Sequence, residues 1–163
     1  MNRLNKQLDI TIPDRHYQKL EEYLKNGQWE EADNETYRVM IEVLGKEQVD
    51  WFRRAEELLN FPCEDLLTID GLWVQHSQGK FGFSVQKEII KKCGYKLDGS
   101  DPPSEVLYNF LDRVGWRDKK TDEWQDYICT LDINTKIGTL PQWERRIGYG
   151  ARLVGGILSH RDL

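Results

Sequence analysis

The chain has 163 residues, of which 39% are hydrophobic and 31% are charged, a composition typical of one globular domain with a single core. The formal net charge is −5, so long-range attraction to nucleic acid is not expected. The apolar runs are too short to span a bilayer, and residues 1–17 lack the apolar region of a secretory signal.

Apolar residues recur at helical spacing along most of the chain, which predicts an all-α fold of short helices. Residues 1–12 lack this periodicity and are predicted to form a tail. Asp14, Ser84 and Ser104 each precede a periodic stretch and are predicted to be N-caps. The predicted helical segments are, in chain order, 14–27, 29–45, 50–62, 64–76, 85–93, 105–114 and 142–160.

The stretch from Trp116 to Thr139 has no helical period and is predicted to be a long, partly extended loop. Loops of this length are uncommon in compact domains unless they have a function. The last predicted helix follows this loop and contains four glycines, each of which costs about 1 kcal/mol relative to alanine. Close approach of another element or contact with a flat ligand would offset that cost at Gly148, Gly150, Gly155 and Gly156.

Aromatic residues gather around a polar turn in the middle of the chain. Trp73, Phe81 and Phe83 flank Gly79, with His76 and Lys80 among them. The bend is too polar to be predicted as buried core, which favours contact of the aromatic residues with a ligand. Aromatic residues also commonly pack in cores, so both interpretations stay open.

Motifs for catalysis, zinc binding and redox chemistry are absent from the sequence. There is no glycine-rich phosphate loop, no G-x-S-x-G, no H-E-x-x-H and no C-x-x-C. We therefore predict a protein that is not an enzyme. The three cysteines, Cys63, Cys93 and Cys129, are expected to be reduced thiols in a cytosol-like compartment.

Three stretches of the sequence carry a resemblance to a known family: GQWEEADNETYRVMIEVLG at 27–45, FPCEDLLTIDGLWVQHSQGKFGFSVQKEI at 61–89, and GTLPQW at 138–143. Together they resemble the Genomes-uncoupled 4 family of tetrapyrrole-binding proteins in oxygenic phototrophs. The resemblance implies a single domain at 13–163. It also implies a compact bundle of short helices that forms a cupped, aromatic-lined ligand groove with a long mobile loop.

The same resemblance implies a function. The chain is expected to bind protoporphyrin IX or magnesium protoporphyrin IX without a required cofactor. It is expected to regulate chlorophyll biosynthesis as a monomer, by stimulating magnesium chelatase through the large porphyrin-binding subunit of that enzyme. The implied compartment is the cyanobacterial cytoplasm or the plastid stroma.

A porphyrin is a flat apolar disc with two propionates on one edge, and its binder needs an apolar wall with cations at the rim. The resemblance places Val74 and Phe83 on that wall, with Phe81 as a further candidate that core packing would explain equally well. It places Trp124, Tyr127 and Ile128 on the mobile loop. The candidate propionate partners after that loop are Arg145, Arg146 and Arg152.

The sequence departs from the family pattern at three positions. Thr139 replaces a histidine in a Gly-His-Leu-Pro motif, and Leu67 and Lys80 stand where the family usually has arginine. Two alternatives therefore stay open: a sensor or interaction module that binds haem or a linear bilin, and a helical adaptor without a ligand. The histidines His16, His76 and His160 are isolated, and His76 is also a candidate axial ligand for a porphyrin metal.

Overall fold

The computed structural model describes residues 15–46, 55–124, 135–142 and 151–163. The all-α prediction is confirmed, since these ranges hold seven helices and one two-stranded hairpin. The helices are α1 (Arg15–Lys25), α2 (Trp29–Val43), α3 (Ala55–Leu59), α4 (Cys63–His76), α5 (Phe83–Lys92), α6 (Ser104–Val114) and α7 (Ala151–Leu158). The hairpin joins β1 (Arg117–Asp118) to β2 (Glu123–Trp124).

Helices α1 and α2 form an antiparallel pair around a tight turn. Gly27 has φ +67° and its N–H donates to the Leu24 carbonyl, which ends α1. The ammonium of Lys19 lies 3.8 Å from the carboxylate of Glu35. Because Lys19 and Glu35 lie equally far from the turn, this contact shows that the two helices run antiparallel. Apolar residues of α1 at helical spacing, including Leu20 and Leu24, are buried as predicted.

Two predicted helix starts are wrong. Helix α5 begins at Phe83, so Ser84 is not its N-cap, and helix α6 begins at Ser104, whose preceding residue Pro103 occupies the cap position. Proline suits the residue before α6 because its fixed φ directs the chain into the helix and no N–H is lost there. At α5 the cap position is Gly82, and the capping oxygen comes from a different helix, as described below.

The core contains the aromatic residues that the sequence places around the central turn. Trp29, Trp73 and Phe81 form one aromatic cluster, and Phe110 with Trp116 forms another, each with edge-to-face contacts. Helix α7 packs against α3, and α5 packs against α6. Within the described residues, no helix is long and apolar enough to cross a membrane.

The hairpin occupies the first part of the predicted long loop and is attached to α6. The guanidinium of Arg117 donates to Asp122 at 2.8 Å and to Asp112 at 3.2 Å, and it lies 4.5 Å from the ring centroid of Tyr108. These contacts combine ion pairing with a cation–π contact on the outer face of α6. Residues 125–134 lie outside the described ranges.

Candidate functional site

The turn between α4 and α5 is fixed by its own hydrogen bonds. The Gly79 N–H donates to the Val74 carbonyl at 2.8 Å, and the Phe81 N–H donates to the Ser77 hydroxyl at 2.8 Å. Gln78 and Gly79 both have left-handed φ values of +57° and +79°, which reverses the chain directly after α4. The turn therefore holds Val74 and Phe83 on its two sides in a defined geometry.

Asp70 of α4 caps the first turn of α5. Its Oδ1 atom accepts the Ser84 N–H at 2.9 Å, which satisfies one of the free donors at the start of that helix. Burial raises the pKa of Asp70 above its ordinary value of 3.8, while hydrogen bonds from Ser84 and Phe83 act in the opposite direction. A Cβ atom on Gly82 would lie 2.8 Å from that same Oδ1, so glycine is required where the two helices meet.

The aromatic side chains beneath the turn are buried. Trp73 and Phe81 have no exposed surface, and their rings pack against Trp29 with centroid separations of 6.3 and 5.4 Å. The Trp73 indole N–H donates to the Thr36 hydroxyl at 2.9 Å, so its polar atom is also satisfied. The tip of the turn, Gln78 and Gly79, is exposed, whereas the aromatic rings beside it are buried in the core. Core packing is the role of Trp73.

The candidate wall residues differ in exposure. Phe83 is fully buried, like Phe81, whereas Val74 is partly exposed and its Cγ2 atom faces the backbone of Gly82. A ligand would therefore contact Val74 directly but would reach either phenylalanine ring only after the groups covering it move.

The segment 136–142 lies against the turn. The Gly138 N–H donates to the Lys80 carbonyl at 2.9 Å, and the Gly82 N–H donates to the Leu140 carbonyl at 3.0 Å. Buried Gln86 of α5 donates both N–H bonds of its carboxamide to carbonyls of this segment. Two stretches that are far apart in sequence are thus joined side by side.

Thr139 occupies the position where the family pattern has histidine. Its side chain is buried, and the hydroxyl lies 2.7 Å from the carbonyl oxygens of Val114 and Lys136. Its own carbonyl accepts the indole N–H of Trp116 at 2.7 Å. The Thr139 hydroxyl therefore provides a hydrogen bond to the Val114 carbonyl at the end of α6. Unlike histidine, threonine carries no titratable group.

The remaining candidate residues are only partly described. Trp124 lies on β2, and Arg152 lies on α7 before the glycine pair Gly155 and Gly156; the side chains of both are outside the description. Four further candidates lie outside the described residues altogether: Tyr127, Ile128, Arg145 and Arg146. These roles stay predictions.

The described histidines have distinct environments. His76 is mostly buried at the end of α4, with Nε2 4.0 Å from a Glu21 carboxylate oxygen and without a hydrogen-bond partner. Desolvation lowers the pKa of His76, partly opposed by Glu21. His160 is buried, with Nε2 2.8 Å from the Phe61 carbonyl and Nδ1 accepting the Asp162 N–H at 3.3 Å, so the hydrogen in the Phe61 contact belongs to Nε2. No cluster in the described ranges has enough His, Cys, Asp or Glu to hold a metal ion.

Sequence reasoning missed Asp70, Gln86 and the buried role of Thr139. Each makes a contact between segments that are distant in sequence, so local periodicity carries no signal for it.

Comparison with known proteins indicates the family of this chain. The family model described as GUN4-like matches residues 12–161. The chain is 39% identical over 86% of its length to the tetrapyrrole-binding protein of Arabidopsis thaliana chloroplasts, covering 52% of that protein. It is 32% identical over 77% of its length to a Ycf53-like protein of Synechocystis, covering 50% of it. The chain thus spans about half the length of these curated relatives.

Two solved structures share the fold. The ligand-free structure of Arabidopsis thaliana GUN4 superimposes with a TM-score of 0.69 at 27% identity, covering 92% of this chain and 95% of that one. GUN4 from Chlamydomonas reinhardtii gives a TM-score of 0.66 at 28% identity, covering 98% and 96%. The family match across nearly the whole chain, together with the shared helical fold, shows that this chain belongs to the GUN4-like family.

Proposed function

We propose that the chain binds a tetrapyrrole without acting as an enzyme on it. The observation that carries this proposal is the 39% identity, over 86% of the chain, to a protein whose name states tetrapyrrole binding. The α4–α5 turn supports it, since it presents the partly exposed Val74 beside buried aromatic side chains. Such an apolar surface suits the face of a porphyrin disc.

The proposed site has two parts. Val74, Phe81 and Phe83 form the first, and binding includes a movement that uncovers the phenylalanine rings. Trp124, Tyr127 and Ile128 contribute to the second. Arg145, Arg146 and Arg152 pair with the propionates at the rim. Ion pairs between guanidinium and carboxylate groups are strong and directional, which orients the disc.

The proposed ligands are protoporphyrin IX and magnesium protoporphyrin IX. The chain would act as a monomer that regulates chlorophyll biosynthesis, with the large porphyrin-binding subunit of magnesium chelatase as its partner. The proposed compartment is a plastid stroma or a cyanobacterial cytoplasm, as the origins of the relatives suggest.

A second candidate function is a sensor module that binds haem or a linear bilin and does not regulate the chelatase. Thr139 favours this second function, because a buried, non-titratable residue replaces the histidine of the family pattern. The replacement lies in the segment that is bound to the α4–α5 turn. Exposed Leu67, where the family usually has arginine, is a second departure on the surface.

A reconstituted magnesium chelatase assay distinguishes the two functions. Adding the chain should increase the rate of magnesium insertion into deuteroporphyrin, and a Val74→Ser variant should give a smaller increase. An unchanged rate, measured with a chain that still binds deuteroporphyrin, would favour the sensor function.

A further inference from the structure

Asp70 of α4 joins that helix to the first turn of α5. Its Oδ1 atom accepts the Ser84 N–H at 2.9 Å, and hydrogen bonds from the Phe83 backbone and the Ser84 side chain also reach this carboxyl group. The first N–H groups of a helix have no partner within the helix, so Asp70 supplies an acceptor that they lack. Because Asp70 is buried, water competes little for these bonds.

The two helices approach each other most closely where α5 begins. Gly82 has φ +139°, and a Cβ atom there would lie 2.8 Å from Asp70 Oδ1 and 2.9 Å from Val74 Cγ2. Asp70 and Val74 are four residues apart on α4, so they lie on the same face of that helix. The backbone of Gly82 therefore packs directly on this face, with no space for a side chain.

This contact links two wall residues of the proposed site. Phe83 is the first residue of α5 and follows Gly82 directly, while Val74 faces Gly82 from α4. The position of the Phe83 side chain relative to Val74 therefore depends on where the first turn of α5 is held. Helix ends fray readily, and an acceptor for their free N–H groups opposes this, so Asp70 holds that turn in place.

We propose that Asp70 is a positioning residue of the tetrapyrrole site. By accepting hydrogen bonds from the first turn of α5, it fixes Phe83 in relation to Val74, so that both side chains form one apolar wall for the flat disc. Asp70 itself does not touch the ligand. This inference rests on the proposed function and adds to it the residue that sets the geometry of the wall.

The first test removes the acceptor. Asp70→Ala leaves buried N–H groups of α5 without a partner, and the first turn of α5 should shift away from α4. Contact between the wall and the disc is then reduced, so deuteroporphyrin should bind about tenfold more weakly. At saturating deuteroporphyrin, the Soret maximum of the bound complex should also move towards that of the free porphyrin. This second measurement reports the geometry of the bound state and does not depend on the fraction of folded protein.

Asp70→Asn is the conservative variant that separates the hydrogen bond from the negative charge. Its amide oxygen still accepts the Ser84 N–H, and asparagine caps helices about as well as aspartate does. Affinity should therefore stay within about twofold of wild type, with the wild-type Soret maximum. A loss as large as that in Asp70→Ala would overturn the positioning role, because the charge would then be what matters.

Asp70→Glu covers the case in which Asp70→Ala does not fold. It keeps a carboxylate acceptor but adds one methylene group where Gly82 leaves no space. The start of α5 should move relative to Val74, so deuteroporphyrin should bind more weakly and the Soret maximum of the complex should differ from that of wild type.

A matched control for lost stability is Tyr95→Phe. It removes the hydrogen bonds that the Tyr95 hydroxyl makes with the Ser100 carbonyl, at 2.6 Å, and with the Ser159 hydroxyl, at 3.0 Å. These contacts lie between the loop before α6 and the end of α7. The variant should lose stability but keep the wild-type Soret maximum and affinity.

The outcomes distinguish this inference from the proposed function. Wild-type affinity and an unchanged Soret maximum in Asp70→Ala, or in Asp70→Glu if the alanine variant does not fold, would overturn the role of Asp70. Failure of the wild-type chain to bind deuteroporphyrin would instead overturn the proposed function, and with it this inference.

Discussion

A side chain at Gly82 would be poorly tolerated in the candidate site. Its φ of +139° is rarely adopted by other residues, and a Cβ atom would lie 2.8 Å from Asp70 Oδ1 and 2.9 Å from Val74 Cγ2. Gly82→Ala should therefore lower the free energy of unfolding by about 2 to 4 kcal/mol, from backbone strain and overpacking together. Urea denaturation of the two proteins measures this difference.

Gly79→Ala is the matched control for that substitution. Gly79 also has a positive φ, +79°, but a Cβ atom there would meet nothing within 4 Å. Gly79→Ala should lower the free energy of unfolding only through the strain of a left-handed backbone, by about 1 to 2 kcal/mol. Equal losses in the two variants would show that contact with Asp70 and Val74 does not constrain the turn.

Asp70 makes a pH-dependent contribution to stability. Because burial raises the pKa of Asp70 in the folded state above its ordinary value of 3.8, the folded state binds more protons than the unfolded state. Its contribution is fully present below pH 3.8 and is lost as pH rises through the folded-state pKa. Asp70→Asn can still accept the Ser84 N–H but does not titrate, so it should lack this loss.

The measurement is the free energy of unfolding of wild type and Asp70→Asn across an acidic to neutral pH series. The stability of wild type relative to the variant should decrease as pH increases. A relative stability that increases with pH would mean that the hydrogen bonds from Ser84 and Phe83 outweigh burial.

The sequence marks the turn at Gly79 but not the contacts made there. Its local signals predict Ser84, and not Asp70, as the cap of α5. The reason is physical: a serine before a periodic stretch is a local signal, whereas an oxygen supplied by a preceding helix depends on how the two helices pack.

At the scale of elements, α7 depends on glycine for close packing. A Cβ atom on Gly155 would lie 2.4 Å from the Ser100 carbonyl oxygen, and one on Gly156 would lie 2.5 Å from the Ala55 carbonyl oxygen. For these two glycines, close approach of neighbouring backbone offsets the low helix propensity, as the first of the two interpretations predicted. Gly148 and Gly150 lie outside the described residues.

Alanine at either position tests this packing. Helix propensity alone would stabilise α7 by about 1 kcal/mol, but displacement of the backbone should make Gly155→Ala and Gly156→Ala less stable by about 1 to 3 kcal/mol. Thermal unfolding of each variant shows whether the substitution raises or lowers stability. A raised midpoint in both would contradict the close packing of α7 on α3 and on the loop at Ser100.

The segment 136–142 shows why some elements escape sequence analysis. Its backbone groups bond to the α4–α5 turn and to the side chains of Gln86 and Trp116, all distant in sequence. Helical periodicity predicted most helices because each buries one face, but a buried segment without regular structure has no period to detect. The hairpin at β1 and β2 was missed for a similar reason, since two-residue strands are too short to show alternation.

For the molecule as a whole, the proposed propionate contacts predict that porphyrin affinity depends on salt. If Arg145, Arg146 or Arg152 pairs with propionates near the surface, the affinity for a diacid porphyrin should fall as salt increases, because screening shortens to about 3 Å at 1 M. A porphyrin diester should bind more weakly at low salt and depend little on salt. Titrations of both ligands across a salt series measure this.

Each arginine variant refines that measurement. Replacing a pairing arginine by alanine should cost about 1 kcal/mol for the diacid and little for the diester. Equal affinities of diacid and diester in wild type would mean that none of the three arginines holds a propionate.

A direct titration tests whether this chain binds a tetrapyrrole at the α4–α5 turn, as proposed. Deuteroporphyrin and its magnesium form are added to wild type and to Val74→Ser, while tryptophan emission and the Soret band are recorded. For wild type we expect saturable quenching and a Soret shift at micromolar porphyrin. Because Val74 is partly exposed, the serine variant should bind more weakly by about 1 kcal/mol without a large loss of stability. Absence of both quenching and a Soret shift in wild type would mean that the chain does not bind a porphyrin.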